Sequence, residues 1–297
     1  MKILLLGRNG QLGWELQRSL APLGELVAPG RAERGDLSQI GELTDMAYES
    51  GAQVIVNAAA YTAVDRAQDP AEQDVCMDVN AGAPAALAMV ARETGALLVH
   101  YSSDYVFDGS GHEPRDEEAS PGADSVYGES KAAGDFSIET SGCAHLILRT
   151  SWVYGARGGN FAKTMLRLAQ ERDELKVVSD QVGAPTGAEL LADVTAHMIR
   201  HTLVNPALSG LYNVVASGET SWHGYAQHVI ERARAAGLPI RVAPEALRAI
   251  PTSDYPTPAV RPLNSRLSTE KLRRHFGLTL PHWTVGVNRM LDEVLSR

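Results

Sequence analysis

The residues of this chain best suited to chemistry are a tyrosine and a lysine four positions apart, Tyr127 and Lys131. In a helix this spacing places the phenol and the ammonium on one face, with Cβ atoms about 5–6 Å apart. A free phenol has a pKa of about 10 and is a poor acid–base catalyst at neutral pH, whereas a nearby cation favours the phenolate. The pair therefore predicts an acid–base group, and the hydroxyl of Ser103 could hold a carbonyl group beside it.

A glycine turn follows the first apolar run of the chain. Gly7, Gly10 and Gly13 come after the run 2–6 and lead into a helical pattern over 14–20. In dinucleotide sites such glycines let the backbone approach the pyrophosphate, and the helix N-terminus offers it unpaired N–H groups. The spacing differs from the Gly-x-Gly-x-x-Gly of many dehydrogenases, and an ordinary turn is the alternative. We predict a dinucleotide site.

Composition and charge exclude several classes of protein. The chain has 297 residues, of which 44% are hydrophobic, and a formal net charge of −9. The acidic balance argues against nucleic acid as a partner. No apolar run approaches the roughly eighteen residues that a membrane span needs, and the first residues lack a signal-peptide pattern, so we expect a cytoplasmic protein. Cys76 and Cys143 form neither a disulfide framework nor a metal-ligand spacing.

Strand and helix patterns alternate along the first half, which predicts an α/β fold with a Rossmann-type doubly wound parallel sheet. The predicted strands cover 2–6, 23–28, 53–57, 97–103 and 145–153. Asn57, Ser103 and Thr150 stand at or near the carboxyl ends of three of them, where ligands bind in such sheets. His100 and His145 lie within strand patterns, and we interpret both as structural.

The alternation becomes less regular after residue 150. Glycine and proline clusters there indicate long loops of the kind that cover a substrate. Two later strand patterns, 175–178 and 211–215, are expected to return to the main sheet. The predicted domains are a dinucleotide-binding domain over 1–150, joined by parts of 160–180 and 205–230, and a smaller mixed α/β substrate-binding domain over most of 151–297.

Several separate stretches give the chain a resemblance to the extended short-chain dehydrogenase/reductase superfamily and, within it, to the dTDP-4-dehydrorhamnose reductase family. They cover nearly the whole chain and are 7–15, 54–60, 100–107, 126–129, 149–154, 160–165, 180–186, and Arg261-Pro262 with Asn264-Ser265. The last four lie in the expected substrate half, which makes the resemblance specific. It implies reduction of the C4 ketone of dTDP-4-dehydro-L-rhamnose to dTDP-L-rhamnose with NADPH or NADH.

The resemblance also implies roles for particular residues. Hydride from the nicotinamide would reach C4 while Tyr127 protonates the developing alkoxide. Lys131 would hold the nicotinamide ribose and keep the tyrosine acidic. Ser103 stands where the family often has threonine, and its hydroxyl is expected to polarise the carbonyl. Asp104 and Trp152 are expected to contact the sugar, and packing in the core is the alternative for Trp152.

The end of the second strand indicates which cofactor is used. It reads Pro29-Gly30-Arg31 and lacks the acid that normally binds the adenosine ribose 2′-hydroxyl. We therefore favour NADPH over NADH, with Arg31 binding the 2′-phosphate and Arg8 and Arg34 as further candidates for that contact. The expected cofactor residues are Gly7, Gly10, Gln11, Leu12, Gly13, Arg31, Asp36, Leu37, Ala60, Tyr61, Thr62, Tyr127 and Lys131.

The resemblance further suggests a homodimer, because some family members dimerise through a magnesium ion held by glutamates. Glu15 and Glu189 stand at matching positions, and Glu293 on the final helix is a candidate third ligand. Hard oxygen ligands suit Mg²⁺. Such a metal would be structural, and three solvated glutamates are the alternative.

Two other functions remain open at this stage. A dehydratase or epimerase of the same superfamily would use the same cofactor site. Dehydratases of this type have an acid pair directly after the serine or threonine, whereas here Ser103 is followed by Asp104 and Tyr105. The other alternative is a non-catalytic regulatory relative that binds the dinucleotide, and the intact Ser103, Tyr127 and Lys131 argue against it.

Overall fold

Short apolar runs build the central sheet in the computed structural model of this protein, which describes residues 1–296. The strands are β1 (Lys2–Leu6), β2 (Glu25–Val27), β3 (Val54–Asn57), β4 (Leu97–Ser103), β5 (His145–Thr150), β6 (Val153–Tyr154), β7 (Leu175–Val178), β8 (Val182–Gly183), β9 (Thr186–Gly187), β10 (Gly210–Asn213), β11 (Thr220–Ser221) and β12 (Leu247–Ile250). The helices are α1 (Gln11–Leu20), α2 (Ile40–Ser50), α3 (Pro70–Met77), α4 (Ala83–Thr94), α5 (Val126–Thr140), α6 (Phe161–Glu171), α7 (Ala188–Val204), α8 (Trp222–Ala235), α9 (Glu270–Phe276) and α10 (Trp283–Leu295). None of these helices combines the length and apolar character needed to cross a membrane.

The main sheet has six parallel strands in the order β10-β5-β4-β3-β1-β2. Side chains alternate between its two faces, so Ile3 and Leu5 join the core layer beneath α1 and α7, while Leu4 and Leu6 join the layer beneath α2 and α4. Helices on both faces explain why β1, β3 and β4 are buried along nearly their whole length. The predicted Rossmann-type doubly wound sheet is confirmed.

The strand order reverses between β1 and β3. The chain leaves β1 toward β2 on one side and returns through α2 to β3 on the other. In open α/β sheets this reversal leaves a crevice beyond the carboxyl ends of the two strands. The glycine turn after β1 therefore lies where a ligand would bind.

The strands match the predicted bounds to different degrees, and β1 has them in full. Strand β4 has the predicted bounds. Strand β2 is shorter than the predicted 23–28, because residues 21–23 form a 3₁₀ turn before it. The predicted strand 145–153 is broken after Thr150, since Trp152 adopts a left-handed φ of 48°.

The later strands only partly join the main sheet. Strand β10 pairs with β5 at its edge. The expected return of 175–178 is wrong, because β7 pairs with β12 in a separate two-stranded sheet. That sheet lies beside a core layer that includes buried residues of α6, α8 and α10. A domain boundary at residue 150 stays a prediction.

Helix α5 lies unusually close to its neighbours. A Cβ added to Gly128 would come within 2.1 Å of the backbone oxygen of Tyr105, which follows β4. A Cβ on Gly134 would come within 2.2 Å of the backbone oxygen of Asn80, between α3 and α4. Interiors are packed too densely to absorb such overlaps without backbone movement. The two glycines therefore set the position of α5.

We predict that Gly134→Ala lowers the free energy of unfolding by about 1–3 kcal/mol, since overpacking a dense core forces backbone shifts. Gly41→Ala is the matched control, because Gly41 is also helical and nothing lies within 4 Å of the added Cβ. That control should be neutral or up to about 1 kcal/mol stabilising. Denaturant unfolding at fixed m-value measures both, and equal effects of the two variants would contradict the close-contact argument.

Candidate active site

A crevice of about 540 Å³ opens beyond the carboxyl ends of β1 and β3. Gly7 has a φ of 86°, and a Cβ there would lie 2.7 Å from the backbone of Ala58. A Cβ on Gly13 would lie 2.0 Å from the backbone oxygen of Gly7. Both positions thus require glycine, and the N-terminus of α1 points into the space they leave. This shape fits the pyrophosphate of a dinucleotide.

Most of the predicted cofactor residues line this crevice. They are Gly7, Gly10, Gln11, Leu12, Arg31, Leu37, Ala60, Thr62, Tyr127 and Lys131. The structure does not place Gly13, Asp36 or Tyr61 in the lining. Gly13 packs beneath the turn, the Asp36 carboxylate accepts hydrogen bonds from Ser38, and the Tyr61 phenol donates to Glu72.

Two arginines lie at the end of the crevice beside β2. The Arg8 guanidinium donates to the backbone oxygen of Ala28 and pairs with Glu33. The side chain of Arg31 is 83% exposed, and its Nε lies 3.8 Å from Asp36. No acidic side chain lines this crevice within residues 1–296. Arg31 is therefore the less constrained of the two cations.

Tyr127 lies in the first turn of α5, which Ser125 caps by accepting a hydrogen bond from the Gly128 N–H. Burial raises the pKa of the Tyr127 phenol above its usual value, and a hydrogen bond with Ser103 opposes this only in part. The expected lowering by Lys131 is not found in the chain alone. The phenol therefore keeps its proton at neutral pH, as a proton donor must before it acts.

The Lys131 ammonium group is directed toward β4. Its Nζ lies 2.5 Å from the backbone oxygen of Tyr101 and 3.1 Å from Nε2 of His100. Burial lowers the pKa of Lys131 to about 8, with the Asp135 carboxylate acting in the opposite direction. His100 thus contacts Lys131, and its interpretation as a structural residue stays a prediction. His100 and Ser102 share the strand face toward α5, on which Lys131 and Asp135 are four residues apart.

Ser103 and Asp104 are buried beside the tyrosine. The Ser103 hydroxyl donates to Oδ1 of Asp104 at 3.0 Å and accepts from the Tyr105 N–H at 3.2 Å. Burial raises the pKa of Asp104 to about 6, against hydrogen bonds with Ser265 and Ser103. The other carboxylate oxygen of Asp104 is buried and has no partner among residues 1–296.

A second cavity of about 740 Å³ lies next to the first. Trp152 lines it and stacks on Trp222 with ring centroids 3.7 Å apart, so this tryptophan is a cavity residue rather than a core residue. Trp222 was not predicted as a site residue, because it is far from Trp152 in the sequence and lies beside it only in the fold. The Arg261 guanidinium lies 2.6 Å from Asp65 and donates to the Tyr105 hydroxyl at 3.1 Å.

Tyr105 also connects the two cavities. Its ring lines the second cavity and meets the Tyr127 ring edge-on, with centroids 5.4 Å apart. Tyr127 lines the first cavity. Tyr127 and Tyr105 therefore stand at the boundary between the two cavities.

The three predicted metal ligands are not assembled within one chain. No group of three or more His, Cys, Asp or Glu side chains in residues 1–296 is arranged to hold a metal ion. Glu15 pairs with Arg18 at 3.3 Å. Burial, with a smaller contribution from the charge of Glu15, raises the pKa of Glu189. A magnesium ion that Glu15, Glu189 and Glu293 share between two chains stays a prediction.

A glycine-lined dinucleotide crevice that ends at a half-buried tyrosine and a buried lysine defines an oxidoreductase of the short-chain dehydrogenase/reductase class. Comparison with known proteins narrows this class. The family described as RmlD substrate binding domain matches residues 1–296, and the chain belongs to that family.

Relatives match over full length. The dTDP-4-dehydrorhamnose reductase of Escherichia coli K12 is 52% identical over 100% of this chain and 99% of its own. That of Burkholderia thailandensis is 45% identical over the whole of both chains. A crystal structure of the Bacillus anthracis dTDP-4-dehydrorhamnose reductase in complex with NADP is 33% identical, with a TM-score of 0.87 over 98% of this chain and 99% of that one.

We predict that Asp104→Asn removes a pH dependence of stability. The pKa of Asp104 is about 6 in the folded chain and 3.8 without the fold, so the folded state binds the proton more tightly. Stability from this group therefore rises as pH falls from about 6 to 4, by roughly 3 kcal/mol. Denaturant unfolding of both proteins across this range measures the difference, and a constant difference would contradict the burial of a charged carboxylate.

Proposed function

We propose that the protein reduces the C4 ketone of dTDP-4-dehydro-L-rhamnose to dTDP-L-rhamnose with NADPH, in nucleotide-sugar biosynthesis for cell-surface polysaccharides. The observation that carries the proposal is the edge contact between Tyr127 and Tyr105, since it joins the dinucleotide crevice to the second cavity. The full-length relatives named for this reaction support the substrate.

The chain's residues would handle the proton and the carbonyl. When bound, NADPH supplies the hydride for C4. Tyr127 donates its proton to the carbonyl oxygen as negative charge develops there, and the raised pKa of the phenol ensures that the proton is present beforehand. The Ser103 hydroxyl would turn from Asp104 to donate to the same oxygen, which stabilises the developing alkoxide.

The cofactor would be held along the first crevice. The glycine turn and the N-terminus of α1 suit the pyrophosphate, and Lys131 lines the wall where the nicotinamide ribose would lie. The exposed guanidinium of Arg31 suits a 2′-phosphate, because a phosphate would supply the strong partner that Asp36 at 3.8 Å does not. The relative crystallised with NADP supports NADPH.

The sugar nucleotide would lie in the second cavity. Its lining includes Trp152, which is proposed to contact the sugar, with Asp104 buried nearby. Positive side chains on the same walls suit a diphosphate. They are Arg172, Lys176 and Arg261.

The direct test is the loss of reduced-nicotinamide absorbance when the purified protein meets dTDP-4-dehydro-L-rhamnose, with NADPH and NADH in parallel. We expect oxidation of the cofactor and formation of dTDP-L-rhamnose. Conversion of the sugar without net oxidation of the added cofactor, together with copurified NAD, would instead indicate an epimerase or dehydratase. Dinucleotide binding without turnover of any ketosugar would leave the regulatory alternative.

We predict that Tyr127→Phe lowers kcat by about 10²–10⁴-fold, the usual contribution of a positioned acid, while NADPH affinity changes by only a few-fold. Tyr212→Phe is the control, because the Tyr212 hydroxyl donates to Leu208 and lies in neither cavity. That variant should keep its kcat. Near-normal turnover in Tyr127→Phe would mean that another group supplies the proton.

We predict that Arg31→Ala raises the KM for NADPH by about tenfold and leaves the KM for NADH nearly unchanged, because a charge-assisted hydrogen bond to the 2′-phosphate is lost. Arg34→Ala provides the comparison, since Arg34 pairs with Glu49 outside the crevice lining. Initial rates with each cofactor measure the ratio. An equal change in the KM values for both cofactors would mean that Arg31 attracts the cofactor by its charge and does not bind the 2′-phosphate specifically.

A further inference from the structure

A buried histidine stands behind the lysine, with both ring nitrogens in contact with other side chains. His100 is 1% exposed and lines neither cavity. Its Nε2 lies 3.1 Å from Nζ of Lys131, and its Nδ1 lies 3.2 Å from Nδ2 of Asn57. The proposed chemistry assigns no role to His100 or to Asn57.

The orientation of Asn57 decides which nitrogen of His100 carries the proton. The Ala59 N–H donates to Oδ1 of Asn57 at 3.2 Å, and this turns the amide nitrogen toward His100. An amide NH₂ only donates, so Nδ1 of His100 must accept. A neutral imidazole has one N–H, which then lies on Nε2 and points at Lys131.

This N–H discriminates between the two forms of the lysine. A free amine can accept from Nε2 while it donates to the backbone oxygen of Tyr101 at 2.5 Å. An ammonium has three donors and no lone pair, so it would face the imidazole N–H without an acceptor. The Asn57–His100 pair therefore favours the amine.

Other groups around Lys131 act in both directions. Asp135 on the same helix favours the ammonium, but its carboxylate is shared with Arg149 of β5 at 3.0 Å. Cys76 of α3 contributes a smaller effect of the same sign. Burial outweighs both and lowers the pKa of Lys131. Burial, with the charge of Lys131, also lowers the pKa of His100 well below its usual range, so the ring is neutral.

We propose that His100, oriented by Asn57, is a positioning residue that holds Nζ of Lys131 against the crevice wall and favours its free-amine form. The inference rests on the proposed function, in which Lys131 binds the cofactor. His100 contacts neither cofactor nor substrate and acts through the lysine alone.

The first test reads the histidine directly and needs no substrate. In ¹⁵N-histidine-labelled wild-type protein, long-range ¹H–¹⁵N spectra should show one buried ring protonated on Nε2, and this signal should vanish in His100→Gln. A ring protonated on Nδ1 would overturn the proposal. This outcome is independent of whether the protein reduces dTDP-4-dehydro-L-rhamnose.

The second test follows the lysine through NADPH affinity, measured by fluorescence between pH 7 and 10. In His100→Gln the amide oxygen can accept from an ammonium, so the pH at which affinity falls should move up by about one unit. Asn57→Asp should move it in the same direction, because a carboxylate accepts from Nδ1–H and leaves Nε2 a lone pair for the ammonium.

The control is His145→Gln, since His145 bonds the Cys143 backbone oxygen outside both cavities. Its profile should match that of the wild type. Unchanged midpoints in both His100→Gln and Asn57→Asp would overturn the proposal, even if NADPH-dependent reduction is established. If the affinity midpoints shift but no ketosugar is turned over, the role of His100 is supported and only the proposed reaction is contradicted.

Discussion

The close approach of α5 to its neighbours is the constraint on which the site depends. Gly128 and Gly134 stand on either side of Lys131, and each leaves room for another backbone oxygen at a distance that no Cβ allows. The helix is therefore fixed at both ends of the reactive segment. Because it cannot move away, a half-buried phenol and a buried amine are held beside β4 on the wall of the crevice.

Desolvation then governs the charges of the site more than any single ion pair. Burial raises the pKa of Tyr127 and lowers the pKa values of Lys131 and His100. All three shifts favour neutral side chains. The fixed charges nearby are those of Asp135 and Arg149, which pair with each other. The other cations of the crevice, Arg8 and Arg31, lie at its far end beside β2, and no acidic side chain among residues 1–296 lines it.

The parts of the site that could be predicted from sequence are those set by local constraints. The glycine turn after β1 and the Tyr127–Lys131 spacing can be recognised within a few residues, and the apolar run of β1 marks its strand directly. The contact between His100 and Lys131 could not be predicted. The two residues are thirty-one positions apart and meet only because α5 packs on one face of β4. The prediction that 175–178 returns to the main sheet was wrong for a related reason, because a short apolar run does not specify which sheet it joins.

The partners of Arg261 affect how the second cavity would bind an anion. Its guanidinium already has a carboxylate partner, Asp65, from the first half of the chain, and a phenol partner in Tyr105. An anion that bound to Arg261 would compete with this carboxylate already in place. Its binding would exchange one anion for another, and a dianionic phosphate would displace the carboxylate more readily than a single carboxylate ligand would.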